Sequence, residues 1–219
     1  LRAEDIEWGD FSRPEDHPEH FIPGRATASP EYLIKQTSEL LSRVGGPTAD
    51  LLHERECFNL LSYLGQLRFA VWLADFSERD IDGIHTSSLE LSDRLGKTLI
   101  LAHRKEIPTA RFEAGISENV REIGDWLSKT QLNLSGRKRS SFAPFRFYVL
   151  RGRDNLGYAL KLLESLGVRL SPDLMKRIEE LDTSLRNLLP DMVAAFRRTG
   201  EDSGPSKDRF PEFFWWRRY

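Results

Sequence analysis

Apolar positions along this chain fall at helical spacing. Leu60, Leu64, Leu67, Val71 and Ala74 step by four, three, four and three, which places them on one face of a helix. That helix is predicted to reopen at Pro47-Thr48 and continue to about Ser77. Within it, the stretch from Phe69 to Phe76 is apolar nearly all round, so it is expected to be buried on more than one side and to form the central helix. Upstream, Ser29-Pro30-Glu31 puts a capping hydroxyl ahead of a proline at the first helical position. The helix it opens carries Leu33, Ile34, Leu40, Leu41 and Val44, and Gly45-Gly46 ends it.

A turn around Asp80 to Gly83 leads to a third helix at about 85–104, with Leu91, Leu95, Leu99 and Ala102 inward. A fourth, at about 108–131, shows Phe112, Ile116, Val120, Ile123 and Leu127. Ser135, Gly136, Ser140, Ser141 and Pro144 then exclude a continuous helix, and 134–153 reads as an irregular basic loop. Phe145 to Leu150 also has the composition of a short strand, although a strand with no partner is unstable. Helical pattern resumes at Leu156, Leu160, Leu163 and Leu166 and stops at Gly167. It restarts after Ser171-Pro172-Asp173 with Leu174, Ile178, Leu181, Leu185, Leu188 and Met192, the four-three alternation of a coiled-coil seam. Pro190 lies inside that run and is expected to kink the helix, or to end and restart it.

These elements predict an all-α fold, an antiparallel bundle of about six or seven helices over residues 30–199, joined by short connections. Residues 1–29 hold Pro14, Pro18 and Pro23 and read as an extended acidic arm that nevertheless carries Trp8, Phe11 and Phe21. Residues 200–208 have linker composition, and 210–219 form an aromatic tail. Composition supports the helical reading, since 31 Leu stand against 16 Val and Ile together.

Charge narrows the function classes. The 32 Lys and Arg nearly balance 34 Asp and Glu, so no global field marks a nucleic-acid or membrane binder. No run approaches the length of a membrane span, and Glu4, Asp5 and Glu7 stand where a secretory leader is basic and then apolar. A soluble, cytoplasmic protein is expected. The lone Cys57 supplies neither a disulfide nor a zinc knuckle.

Candidate chemistry is sparse. Asp50 and His53, and Asp82 and His85, have carboxylate-x-x-His spacing, but inward acids on the other helices are missing from the pattern. His53 and Cys57 are four apart and would begin a nucleophile and base pair, yet a buried Cys is more commonly a small hydrophobe. His17 and His20 sit on the acidic arm. No phosphate loop, nucleophile elbow, zinc-protease helix or dinucleotide fingerprint occurs. No catalytic or metal residue is therefore assigned, and no cofactor is expected.

Two segments remain. The last ten residues hold six of the 23 aromatics, so Phe213, Phe214, Trp215, Trp216, Arg217 and Arg218 are candidates for docking on the chain's own bundle or for binding a protein partner. Insertion at a membrane surface is the least favoured use. The basic segment carries Arg137, Lys138, Arg139, Arg146, Arg151 and Arg153, interleaved with rings that include Phe142 and Tyr148. The first expectation is structural, with the rings plugging the bundle and the cations solvating the loop or pairing with acidic residues elsewhere; the same combination also suits single-stranded nucleic acid or another acidic partner. The expected function is a non-enzymatic helical interaction module or complex subunit that binds a protein or itself. The alternative is a nucleic-acid-binding protein using 137–153, and the third reading is an enzyme with an unrecognised site.

Overall fold

Pro30 opens the first helix, as the Ser29-Pro30 signal predicts. The structure, a computed structural model, describes residues 30–44, 53–69, 83, 86–95, 97, 109–135 and 145–199. It confirms the all-α bundle, and no strand occurs among the described residues. Helix α1 (Pro30–Val44) buries Leu33, Leu40 and Leu41. Helix α2 (Glu54–Phe69) buries Phe58, Leu60, Leu61, Leu64 and Leu67 and packs against three other helices, which makes it the central element. It begins at Glu54 because Glu56 accepts the His53 backbone N–H at 3.0 Å, one half of a capping box. Arg43 at the end of α1 grips the same carboxylate from above, with Nη2 3.1 Å from Oε2. The Arg43 bond and the His53 N–H hold the Glu56 carboxyl below its ordinary value, against a smaller effect of burial. The remaining parts of the expected second helix, at 47–52 and 70–77, lie outside the described residues.

Residues 86–95 are helical and bury Leu91 and Leu95. Helix α3 (Thr109–Ser135) buries Phe112, Ile116, Val120, Ile123 and Leu127, the whole expected stripe, and extends a turn past the expected end. A correction follows. The irregular loop does not last to 153, nor is there a strand: Phe145–Leu150 is wound as a π-helix that runs directly into α4 (Arg151–Ser165). Helical winding lets Phe145 and Val149, 1 % and 0 % exposed, enter the core together, and it leaves no edge of unpaired backbone groups.

Gly167 ends α4 at φ 67°. Its N–H donates to the Glu164 carbonyl at 3.0 Å and the Val168 N–H to that of Leu163 at 2.9 Å, a Schellman closure that requires the left-handed conformation glycine tolerates. Helix α5 (Pro172–Thr199) then buries Leu174, Ile178, Leu181, Leu185, Leu188 and Met192. The helix continues through Pro190, so of the two expected outcomes the end and restart does not occur. Pro190 and Arg186, one turn before it, are both on the exposed face, where the missing proline N–H costs least.

Pairings fix the helix directions. Tyr32 meets Tyr63 edge-on, with ring centres 6.3 Å apart, and Arg43 meets Glu56, so α1 and α2 are antiparallel. Gln66 bonds Asn155 at 3.0 Å and Gly65 adjoins Tyr158, so α4 runs against α2. By contrast α5 runs along α3 in the same direction, through Ser171 N–H to Glu113 at 2.7 Å and Arg177 to the Ser117 hydroxyl at 2.5 Å. No helix among the described residues is long and apolar enough to cross a membrane.

Helices α3 and α4 approach α2 at glycines. A Cβ on Gly65 would lie 2.5 Å from the Tyr158 carbonyl oxygen, and one on Gly115 would collide with the Glu54 carbonyl, whereas one on Gly124 would meet nothing. Gly65→Ala and Gly115→Ala are therefore expected to force helices apart and lower the denaturant midpoint. Gly124→Ala is expected to raise stability by up to about 1 kcal/mol through helix propensity. Chemical denaturation of the three variants checks the pattern, and equal effects at all three glycines would show that the packing distances are wrong.

Candidate binding cleft

A stripe of polar residues on α2 runs beside the buried one. Arg55, Asn59, Tyr63 and Gln66 step by four, four and three, and they line one wall of a cleft of about 810 Å³. The opposite wall is α3, with Asn119, Glu122, Asp125, Trp126 and Lys129. The π-helix and the start of α4 add Tyr148, Arg151 and Asn155, and α1 contributes Tyr32. Phe58 and Ile123 tie these walls to the core.

Aromatic packing orders one part of the cleft. Trp126 and Tyr148 are stacked, ring centres 4.1 Å apart and planes within 2° of parallel, and the Lys129 ammonium sits over the Trp126 ring at 4.5 Å. Offset stacking and a surface cation over a ring are worth about 1 kcal/mol each, so the stack holds its shape while Tyr148 stays 45 % exposed. Amides order the middle. Gln66 donates to the Ser62 hydroxyl and to Asn155, both at 3.0 Å. Asn119 Oδ1 is buried with no hydrogen-bond partner among the described residues.

Tyrosines and cations order the rest. Burial raises the Tyr63 phenol above its ordinary value and Tyr32 adds to the rise, while the charges of Arg151 and Arg55 oppose it. The hydroxyl therefore stays protonated at neutral pH, hydrogen-bonded to Tyr32, with Arg55 and Arg151 from two helices lining the same cleft. On the facing wall Glu118 and Asp125 each stand 3.7 Å from Arg121, which offsets part of the acidic charge there.

The structure redistributes the sequence candidates. Tyr148 and Arg151 line the cleft. Arg153 does not face solvent: it is 4 % exposed and makes a two-pronged bond to Asp182 on α5, Nε to Oδ1 at 2.7 Å and Nη2 to Oδ2 at 2.9 Å. Its role is to join α4 to α5. Arg137, Lys138, Arg139, Phe142 and the Arg146 side chain lie outside the described residues, as do the acidic arm and the tail residues Phe213, Phe214, Trp215, Trp216, Arg217 and Arg218. Asp50, Asp82, His85, His17 and His20 lie outside them too.

His53 and Cys57 do not form a nucleophile and base. His53 is exposed and Cys57 is buried, and burial pushes the thiol up to about 11, so almost no thiolate exists at neutral pH. Among the described residues no group of three His, Cys, Asp or Glu is placed to hold a metal ion. No protein-family model, curated protein or solved structure matches this chain.

Sequence reasoning missed Arg55, Asn59, Tyr63, Gln66 and Trp126. The available signal was the polar stripe itself, which repeats on α2 at the same period as the core stripe.

The Arg153 and Asp182 pair generates a prediction. Asp182→Ala strands a buried guanidinium and is expected to cost about 3–5 kcal/mol, whereas the double replacement Arg153→Met with Asp182→Leu is expected to be near neutral. Urea unfolding of both variants checks this, and a loss under about 1 kcal/mol for Asp182→Ala would place Arg153 in water.

Proposed function

We propose that the chain is a non-enzymatic interaction module whose recognition surface is the cleft between α1, α2, α3 and α4. The observation that carries this reading is the Trp126 and Tyr148 stack, a rigid aromatic shelf left half in water beside side-chain amides from three helices. Burying such a shelf against a partner removes apolar area from water at about 25 cal/mol per Å² with little loss of side-chain freedom. The aromatic tail stays in the proposal as an epitope for a protein partner or for self-association. The nucleic-acid alternative is weakened in one respect, because Arg153 is committed to Asp182, and it keeps Tyr148 and Arg151 on the cleft.

Capture from source-cell lysate after nuclease treatment tests the reading. Full-length protein is expected to retain a protein partner that the Tyr148→Ala and Trp126→Ala variants lose, with melting temperatures that show the variants folded. Truncation after Lys207 separates the tail from the cleft. Capture that is indifferent to both cleft variants would remove the cleft as the recognition surface, and capture abolished by nuclease would favour nucleic acid.

A further inference from the structure

Three kinds of group line the cleft, and each has a counterpart in one class of small molecule. The first is the aromatic shelf of Trp126 and Tyr148, which suits a planar ring. On the same cleft, two turns before Trp126 on α3, Asn119 presents a buried acceptor without a partner among the described residues, and Asn59 and Asn155 supply further amides. These suit the hydrogen-bonding edge of a heterocycle. The second is the carboxylate pair Glu122 and Asp125 on α3, acceptors suited to the vicinal hydroxyls of a sugar. The third is the pair of cations Arg55 and Arg151, which line the cleft with Tyr63 and Tyr32, two phenols set edge to face and hydrogen-bonded to each other. Two guanidinium groups with phenolic donors match the several oxygens of a phosphate better than the two of a carboxylate.

Tyr148 and Arg151 are three residues apart on adjoining helical turns, so ring shelf and phosphate donors are neighbours on one wall. The mixed charge of the lining then has an explanation. An inorganic anion would meet Glu122 and Asp125 as repulsion, whereas a molecule with an uncharged sugar between ring and phosphate places hydroxyls against those carboxylates. A volume of about 810 Å³ accommodates a ligand of that size.

We propose that the cleft binds a nucleoside 5′-phosphate unit, presented as a free mononucleotide or as the end of a single strand. The proposal rests on the reading of the cleft as the recognition surface and adds the chemistry of its occupant.

Isothermal titration of the full chain with AMP, UMP, adenosine, ribose 5-phosphate, inorganic phosphate and a single-stranded RNA hexamer tests it. AMP or UMP is expected to bind with a micromolar Kd, and adenosine, ribose 5-phosphate and inorganic phosphate at least about ten-fold more weakly. Tyr148→Ala and Arg55→Ala are each expected to weaken the nucleotide about ten-fold or more, while Arg177→Ala, on the far side of α3, leaves it unchanged. Arg55 is exposed, so its variant keeps the test intact if Tyr148→Ala fails to fold. A hexamer that binds no tighter than the monomer identifies the free nucleotide as the source. A hexamer that binds more tightly and loses affinity in the same variants identifies a strand end. Absence of binding by both mononucleotides, affinity equal to that of inorganic phosphate, or indifference to both cleft variants would overturn the proposal. If nucleotide fails to bind while partner capture still depends on Tyr148, this inference falls and the interaction-module reading stands. If nucleotide binds while capture is indifferent to Tyr148, the reverse holds.

Discussion

The close approach of α2 to its neighbours is the constraint on which the rest of the structure depends. Gly65 lies against the Tyr158 backbone and Gly115 against that of Glu54, so α2 is held at backbone distance from α4 at one end and from α3 at the other. Close packing follows, and Leu60, Leu61, Leu64 and Leu67 are fully buried. The cleft follows too. With the distances set at the glycines, the stripe next to the buried one on α2 faces neither pure core nor open water, and the amide of Gln66 reaches Asn155 across it.

Ion pairs then lock elements that hydrophobic packing alone would leave free to slide. Glu56 caps the start of α2 and pairs with Arg43 from the end of α1, so one carboxylate sets both the beginning of a helix and its register against the preceding one. Arg153 and Asp182 do the same between α4 and α5 inside the core, where removal of either partner leaves a desolvated charge. Apolar contacts are tolerant of small shifts, but the two-pronged geometry of Arg153 on Asp182 is not.

Much of the bundle was legible because its helices announce themselves locally. Ser29-Pro30 marks the start of α1, Phe112 to Leu127 marks the inner face of α3, and Leu174 to Met192 marks that of α5. What is not legible locally is the environment that another helix supplies. Pairing of a basic-segment cation with an acid elsewhere is an expected use, but local spacing does not name the acid, and the partner of Arg153 is 29 positions away on another helix. Pro190 has the residue type that kinks or ends helices, yet α5 continues through it on the exposed side. Phe145 to Leu150 follows Ser, Gly and Pro residues and has alternation that fits a strand or a helix equally well. Only the burial of Phe145 together with Val149, a tertiary fact, decides the matter.

The cleft was hidden for a different reason. Arg55, Asn59, Tyr63 and Gln66 share the period of the core stripe, and a search for apolar periodicity discards them as the solvated face. Their distinction lies in composition, since Lys and Glu, the usual occupants of a solvated helix face, are absent from this stripe and amide and phenol groups replace them. Amides and phenols are costly to order unless something meets them, because each carries donors or acceptors that water serves well. In α2 they are ordered by groups from α1 and α4, and on α3 the half-buried Asn119 turns inward an Oδ1 acceptor that no described residue satisfies. A wall assembled from four helices, rigid by stacking and amide bonding yet incompletely satisfied, is the arrangement that gains most from an occupant supplying the complementary donors.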